Sequence, residues 1–500
     1  MNTTLADALR DAARDSPDRV LLRDDACSLT AALLLDQAGA LAHALLRRMP
    51  VGSVVSFTVP NWHEAAVVYL GATLAGMVVN PILPSLRDRE LAFILGDANS
   101  RAVFIPQTFA GHDYAAMLER VVAGLPDSPE VVVVRGDPGP HTAFADLLTE
   151  PSIGELPELD PAGTRMILYT SGTTGRPKGV LHSHDSLRAL ICQLGRHWRI
   201  NPGDTFLVPS PIAHIGGSIY AFECPLLLGT QAVLMQRWNP DDAVALMLEH
   251  RCTHMAGATP FLAGLLEAAQ RADTRLPDLK VFICGGASVP PTLIRRASEY
   301  LDKAAVSRVY GSTEVPVTTV GSLDDVDRAA DTDGRPGDAD VVVVDGEIRA
   351  RGPQMLSGYL HPEDNLESFD AAGYFRTGDL GRFTEDGHLV VTGRAKDIII
   401  RNGENISPKE VEDILVTHPG IADIAIVGIP DPRTGERACA AIVATDPPGP
   451  DVAELREFLL ARGVAVFKAP EQVCLREALP KNDAGKVLKH VIKADLMKES

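Results

Sequence analysis

The sequence predicts an α/β fold: a large N-terminal domain of layered α/β subdomains plus a β-rich subdomain, then a small C-terminal α+β domain. Three observations predict it. At 500 residues the chain is too long for one hydrophobic core, so several subdomains are expected. Short apolar runs alternate with helical periodicity as far as Tyr310, the pattern of parallel strands joined by helices. Near residue 340 the texture becomes β-rich, and beyond Gly393-Arg394 the charge balance shifts. Residues 394–500 carry 15 basic and 17 acidic side chains, leaving −17 of the formal −19 on residues 1–393. The expected division is therefore 1–393 and 394–500.

Ala31 to Arg48 places apolar residues at helical spacing, and Val51 to Val59 is a β-branched run that ends at a proline. A helix over 64–76, a strand at 77–79, a helix over 88–96 and strands at 102–105 and 130–135 follow. Ala65 to Val79 is the longest largely apolar run. Its 15 residues include two glycines and a threonine, so it is short for a membrane span and reads as a buried helix and turn. Strands are expected at Met166–Leu168, Ala232–Met235, Lys280–Cys284 and Arg308–Tyr310. Val341–Ile348 and His388–Thr392 read as short strands with tight turns. The remainder reads as strand, helix and strand, a loop at Asp446–Pro450, then helix and strand.

Hydrophobic residues at 45% and charged residues at 23% give ordinary globular composition and exclude a disordered chain. The net charge of −19 argues against sequence-independent nucleic-acid binding, which needs a broad basic surface. Seven dispersed cysteines without a Cys-x-x-Cys pair suggest reduced core thiols. The first twenty residues interleave acids and arginines and lack the apolar core of a signal peptide, so a cytoplasmic location is expected.

The most informative stretch is Tyr169-Thr-Ser-Gly-Thr-Thr-Gly-Arg-Pro-Lys-Gly-Val180, directly after the apolar run Met166–Leu168. Glycines let backbone approach a phosphate closely, while amides, hydroxyls and Lys178 can bind its oxygens. A bare loop of this composition reads as a turn between strand and helix. It is not a Walker A loop, because Lys178 is followed by glycine instead of serine or threonine. The whole string resembles the phosphate loop of the acyl-adenylate-forming superfamily, which contains acyl-CoA synthetases, adenylation domains and luciferases.

Further segments resemble that superfamily in the same order. In Tyr310-Gly311-Ser312-Thr313-Glu314, the resemblance implies that Tyr310 stacks on adenine, Thr313 touches the α-phosphate and Glu314 helps hold Mg²⁺. Gly285-Gly286-Ala287 matches a turn beside the adenine and acyl sites. Tyr374-Phe-Arg-Thr-Gly-Asp379 places Asp379 on the ribose hydroxyls, a role that suits a carboxylate accepting from two vicinal donors. Gly393-Arg-Ala-Lys-Asp397 matches the interdomain hinge, with Arg394 reaching the ribose and Lys396 as pivot. Gly403 and Glu404 fall in the loop for the thiol cofactor, where Asn402 replaces a glycine common in relatives and leaves the path of the pantetheine arm open. Leu479 to Val487 resembles the terminal Pro-Lys-x-x-x-Gly-Lys motif, making Lys486 the catalytic lysine. Within the first string, Thr170, Ser171, Gly172, Thr173, Thr174 and Gly175 would bind ATP phosphates beside Lys178.

The resemblance covers nearly the whole chain. It implies an ATP-dependent ligase that makes an acyl-AMP, passes the acyl group to CoA and moves its terminal domain between the two steps. ATP, Mg²⁺ and CoA are the expected cofactors and co-substrates. Pro211–Ser218 falls where the superfamily borders its acyl tunnel, and it lacks the aspartate of amino-acid-activating relatives. His214 would gate the pocket or simply pack on a helix. Gly216, Gly217 and Ser218 are expected to leave room, and Gly285, Val315 and Pro316 to add small or apolar lining. These features favour an alicyclic, aromatic or medium-chain acid, and the segment from His214 to Phe261 resembles cyclohexanecarboxylate-type ligases. An enzyme that stops at acyl-AMP or loads a carrier protein, a luciferase-like oxygenase and a non-catalytic nucleotide-binding homologue are the alternatives. No nucleic acid or membrane span is expected, and a homodimer is left open.

Overall fold

The computed structural model describes residues 4–171, 176–286, 289–482 and 485–498. Two large sheets and a β-rich unit account for the first 394 residues. One sheet has eight strands, in the order Gly358–Tyr359, Pro177–Ser183, Thr164–Ser171, Val78–Pro81, Val54–Phe57, Ser100–Ile105, Glu130–Val133 and Thr142–Ala143. The other has seven, running from Ala305–Val309 through Val281–Gly285, His254–Gly257, Thr205–Val208 and Gln231–Leu234 to Val20–Arg23 and Ser28–Thr30. Most pairings are parallel, as alternating strands and helices require.

The core that joins the sheets forms around the helices Ala31–Arg48 and His63–Leu74. Residues 65–74 are buried without exception, so the long apolar run is an interior helix followed by a strand. Among the described residues no helix is long and apolar enough to cross a membrane. Cys224, Cys252, Cys284 and Cys439 are buried as expected, whereas Cys192 is exposed.

One expectation is corrected here. The glycine- and hydroxyl-rich segment does not lead from a strand into a helix. It joins the antiparallel strands Thr164–Ser171 and Pro177–Ser183, with Leu168 opposite Val180 and Thr170 opposite Lys178. The helix starts only at His184, where the Ser183 hydroxyl caps it by accepting from Ser186 N. Pro177 and Gly179 within the strand hide its alternation in the sequence. Lys178 therefore projects from a strand, whose backbone partners limit its freedom.

The β-rich unit is a four-stranded antiparallel sheet of Asp340–Val344, Glu347–Arg351, Phe375–Phe383 and Leu389–Arg394. The chain leaves it through a single 3₁₀ turn, Ala395–Asp397, and enters a separate sheet built on Ile421–Asp431 and Gly435–Ala444. That second sheet has its own apolar core, around Ile399, Val411, Ile426 and Leu455.

A buried ion pair ties the eight-stranded sheet to the helical segment Ile219–Glu223, which lies between two strands of the other sheet in the chain. Arg165 Nη2 lies 2.8 Å from Glu223 Oε1, both side chains are 1% exposed, and Tyr69 OH donates to the same oxygen at 2.6 Å. Truncating one partner would leave the other charge buried and alone. Glu223→Ala should therefore lower stability by about 3–5 kcal/mol. The midpoint of urea unfolding followed by tryptophan fluorescence measures this, since Trp62, Trp198 and Trp238 all lie in the first two sheets' part of the chain.

Candidate active site

The β-rich sheet sets one wall of the site by register. Asp379 stands opposite Arg394 on the adjacent strand, and Arg394 Nε donates to Asp379 Oδ1 at 2.7 Å. Tyr310, the first residue beyond the strand Ala305–Val309, donates its hydroxyl to Asp379 Oδ2 at 2.9 Å. Burial and the Asp379 charge push the Tyr310 phenol well above its usual range, so it stays a proton donor. Asp379 is thus held by a cation on one oxygen and a phenol on the other.

The opposite wall comes from the strands around the phosphate-loop string. Glu314 Oε1 accepts from Tyr359 OH at 3.1 Å and from Thr170 Oγ1 at 3.4 Å. Lys178 Nζ lies 3.3 Å from Asp364 Oδ1 and 5.1 Å from the centroid of the Tyr359 ring. The Thr313 carbonyl accepts from His182 Nε2 at 2.7 Å. Burial lowers the His182 pKa to about 4, so the ring is neutral and holds Thr313 in place through one N–H. Ser312 is used locally, its hydroxyl accepting from Val315 N at 3.2 Å. At Gly311 a Cβ would sit 2.6 Å from Val317 N, so this tight turn admits only glycine. Tyr359, Asp364 and His182 were not identified from sequence. No motif marks them, and the pairing of Gly358–Tyr359 with Pro177–Ser183 is what brings the first two to Lys178.

Lys486 enters from the terminal unit. Its backbone exchanges hydrogen bonds with Asn482, and a Cβ on Gly485 would lie 3.2 Å from Pro260, so the loop rests on the seven-stranded sheet's part of the protein. Burial in the cleft, then the nearby Arg394 charge, lowers the Lys486 pKa. Burial and the Lys486 charge likewise lower that of His214, so Lys486 lies close enough to both Arg394 and His214 for its charge to be felt. Gly403 and Glu404 lie elsewhere on the terminal unit, in an exposed hairpin between Ile399–Arg401 and Glu404–Ile406. Asn402 at φ 49° and Gly403 at φ 82° form its two-residue turn. Asparagine is the side chain best suited to that left-handed position, so its replacement of a glycine leaves the turn unstrained. Lys396 is exposed within the 3₁₀ turn.

A cavity of about 60 Å³ opens beside Thr313 and His214, lined by Ile82, Leu83, Leu86, Ile94, Leu168 and Tyr169 among others. Of the residues expected to border the acyl group, His214 lines it. The surroundings of the others differ from one to the next. A Cβ on Gly217 would lie 2.1 Å from Pro211 O, so the absent side chain makes room for backbone instead of ligand. Ser218 is fully buried, and Gly285 is glycine because Val309 packs 2.5 Å from where a Cβ would stand. Val315 is 1% exposed in the core of the β-rich unit, and Pro316 beside it is buried. Gly216 is open except for the His214 ring, whose Nδ1 accepts from Gly216 N at 3.1 Å and caps a short helix. Gly286 has φ +81° and open space at its Cβ position. Gly172, Thr173, Thr174, Gly175 and Ala287, and the side chain of Ser171, lie outside the described residues.

Two family models match this chain: AMP-binding enzyme over residues 9–360, and AMP-binding enzyme C-terminal domain over residues 410–486. The chain belongs to the AMP-binding enzyme family. A medium-chain fatty-acid–CoA ligase of Escherichia coli K12 is 34% identical, with 99% of this chain and 91% of that protein covered. A salicyl-AMP ligase / salicyl-S-ArCP synthetase of Mycobacterium tuberculosis H37Rv is 33% identical, with 98% and 90% covered. The ATP-bound structure of MatB from Rhodopseudomonas palustris superposes with a TM-score of 0.89 at 28% identity, covering 99% of each chain. This AMP-binding enzyme is thereby a member of the acyl-adenylate-forming superfamily, and ATP is its nucleotide.

The lowered Lys486 pKa has a measurable consequence for this AMP-binding enzyme. The protonated ammonium is the form that can neutralise phosphate charge, and a lowered pKa means it is lost earlier as pH rises. Acid-dependent pyrophosphate release should therefore fall on the alkaline side below the usual lysine range. Lys486→Arg should abolish that limb in whatever activity it retains, since guanidinium does not titrate there.

Proposed function

We propose that the protein is an ATP-dependent acid–CoA ligase. The observation that supports this reading is that Lys486, buried in the terminal unit's loop, lies near the hydrogen-bonded cluster of Arg394, Asp379 and Tyr310. In the first step a substrate carboxylate oxygen attacks the α-phosphorus of ATP, forming acyl-AMP and expelling pyrophosphate. In the second the CoA thiol, losing its proton, attacks the acyl carbonyl and expels AMP. Neither step needs a protein nucleophile. Asp379 would accept from the ribose hydroxyls, with Arg394 beside it, while Tyr310 offers the adenine its ring. Thr313, Lys178 and Lys486 would neutralise and orient the phosphates and the attacking carboxylate.

Glu314 fits a magnesium ion, being a carboxylate flanked by the Thr170 and Tyr359 hydroxyls, all hard oxygen donors. Bound there, Mg²⁺ would supply charge neutralisation to the polyphosphate.

The cavity beside Thr313 is lined by apolar side chains, with His214 neutral at its edge. That lining supports an acid without a second charge, of alicyclic, aromatic or medium-chain type. The medium-chain relative from Escherichia coli agrees with this class and with CoA as acceptor. The salicyl-AMP relative, whose name includes a carrier-protein product, is the basis for a carrier-loading alternative.

Pyrophosphate and AMP release measured across a panel of carboxylic acids, with and without free CoA, tests both halves. CoA-dependent AMP release is expected. Pyrophosphate release that stalls at acyl-AMP with CoA present would overturn the CoA reading.

Lys486 and the Gly403 turn sit apart on the terminal unit, so presenting each to the cleft in turn requires rotation about Lys396. Lys396→Pro is expected to leave acyl-AMP formation nearly unchanged and to slow thioester formation by roughly tenfold or more. Single-turnover assays of each half-reaction separate the two, and equal loss in both would count against rotation.

A further inference from the structure

We infer that Asp364 is a positioning residue for Lys178, holding its ammonium in place before ATP arrives; this rests on the adenylating reading of the cleft. Lys178 has a flexible four-carbon stem, and a point charge on such a stem is aimed only if something holds it. The fold provides a holder. The strand Gly358–Tyr359 pairs antiparallel with Pro177–Ser183, setting Tyr359 opposite Val180, and Leu360 N donates to Gly179 O at 2.8 Å. The chain then turns through the 3₁₀ segment Pro362–Asn365, where Asn365 Oδ1 accepts from Tyr359 N at 3.0 Å. That turn folds Asp364 back over the start of the lysine strand. Its Oδ2 accepts from Arg176 Nη2 at 2.7 Å, and its Oδ1 lies 3.3 Å from Lys178 Nζ.

The Lys178 and Asp364 side chains are only 15% and 12% exposed, so water screens their attraction less than it would a surface pair. The same short segment reaches Glu314. Tyr359 presents its ring to Lys178 and donates its hydroxyl to Glu314. Residues 358–365 therefore set the spacing between the Lys178 cation and the Glu314 carboxylate on the same wall.

Removing the Asp364 charge has two separable effects. Lys178 and Arg176 still attract the triphosphate, with one fewer negative charge nearby, so ATP should bind as well or better. Lys178 is no longer aimed, so stabilisation specific to the transition state should fall. Loss of rate without loss of ATP affinity distinguishes this role from one in the fold alone.

The test compares wild type, Asp364→Asn, Lys178→Ala and the double variant, using acid-dependent ATP–pyrophosphate exchange and calorimetric binding of a non-hydrolysable ATP analogue. Asp364→Asn should lower kcat about tenfold, with KM for ATP and Kd for the analogue equal or lower, and should have no further effect on top of Lys178→Ala. An unchanged kcat, a raised KM or Kd, or additive losses in the double variant would each overturn the inference. Wild-type protein that binds the analogue but exchanges no pyrophosphate with any acid tried would count against the adenylating reading instead. In that case the calorimetric comparison still judges Asp364, a raised Kd overturning its assigned role.

Discussion

The site depends on the Asp379–Arg394 pair. It is an antiparallel cross-strand pair, so its geometry follows from the register of the β-rich sheet. Its third member, Tyr310, comes from the end of a strand in the seven-stranded sheet. Its cation stands at the last residue before the chain leaves for the terminal unit. One hydrogen-bonded cluster therefore joins two sheets to the turn that leads into the terminal unit. Arg394 also affects Lys486 directly: two cations share a cleft, and the lysine is the one whose charge becomes easier to lose.

This local arrangement resolves the contrast between a net charge of −19 and a polyanionic nucleotide. Salt screens exposed charges beyond roughly 8 Å, so acids spread over the large part of the chain exert little force inside the cleft. The cations proposed to bind the nucleotide, Lys178, Arg394 and Lys486, are each partly shielded from water, and the first two are each paired with a carboxylate. The overall charge still bears on nucleic acid, which would meet an acidic surface.

Much of the architecture was legible in the sequence. The helix over Ala31–Arg48 and the strands at Val281 and Glu130 follow directly from period and β-branching, whereas the strand expected at Arg308–Tyr310 runs from Ala305 to Val309. The buried helix at 63–74 followed from a run too short to span a bilayer. The strand Pro177–Ser183 was not legible, because glycine and proline hide its alternation and its stability comes from pairing on both edges. The room expected at some of the candidate acyl-lining glycines is taken up for a related reason. Small residues such as Gly217 and Gly285 suggest empty space in a sequence, yet here protein atoms fill the space.

By itself the sequence determined the family, the order of its segments and the chemical type of each group: a lysine, a carboxylate, a phenol at known positions. These are properties of short strings, and they survive without knowledge of neighbours. Only the tertiary structure decided which of those groups meet. Asp364 reaches Lys178 across 186 positions of chain, Tyr359 reaches Glu314, and Lys486 comes near Arg394 from a loop of the terminal unit. Such contacts arise from strand pairing and domain docking, whose energies are summed over many residues and leave no mark at any one of them.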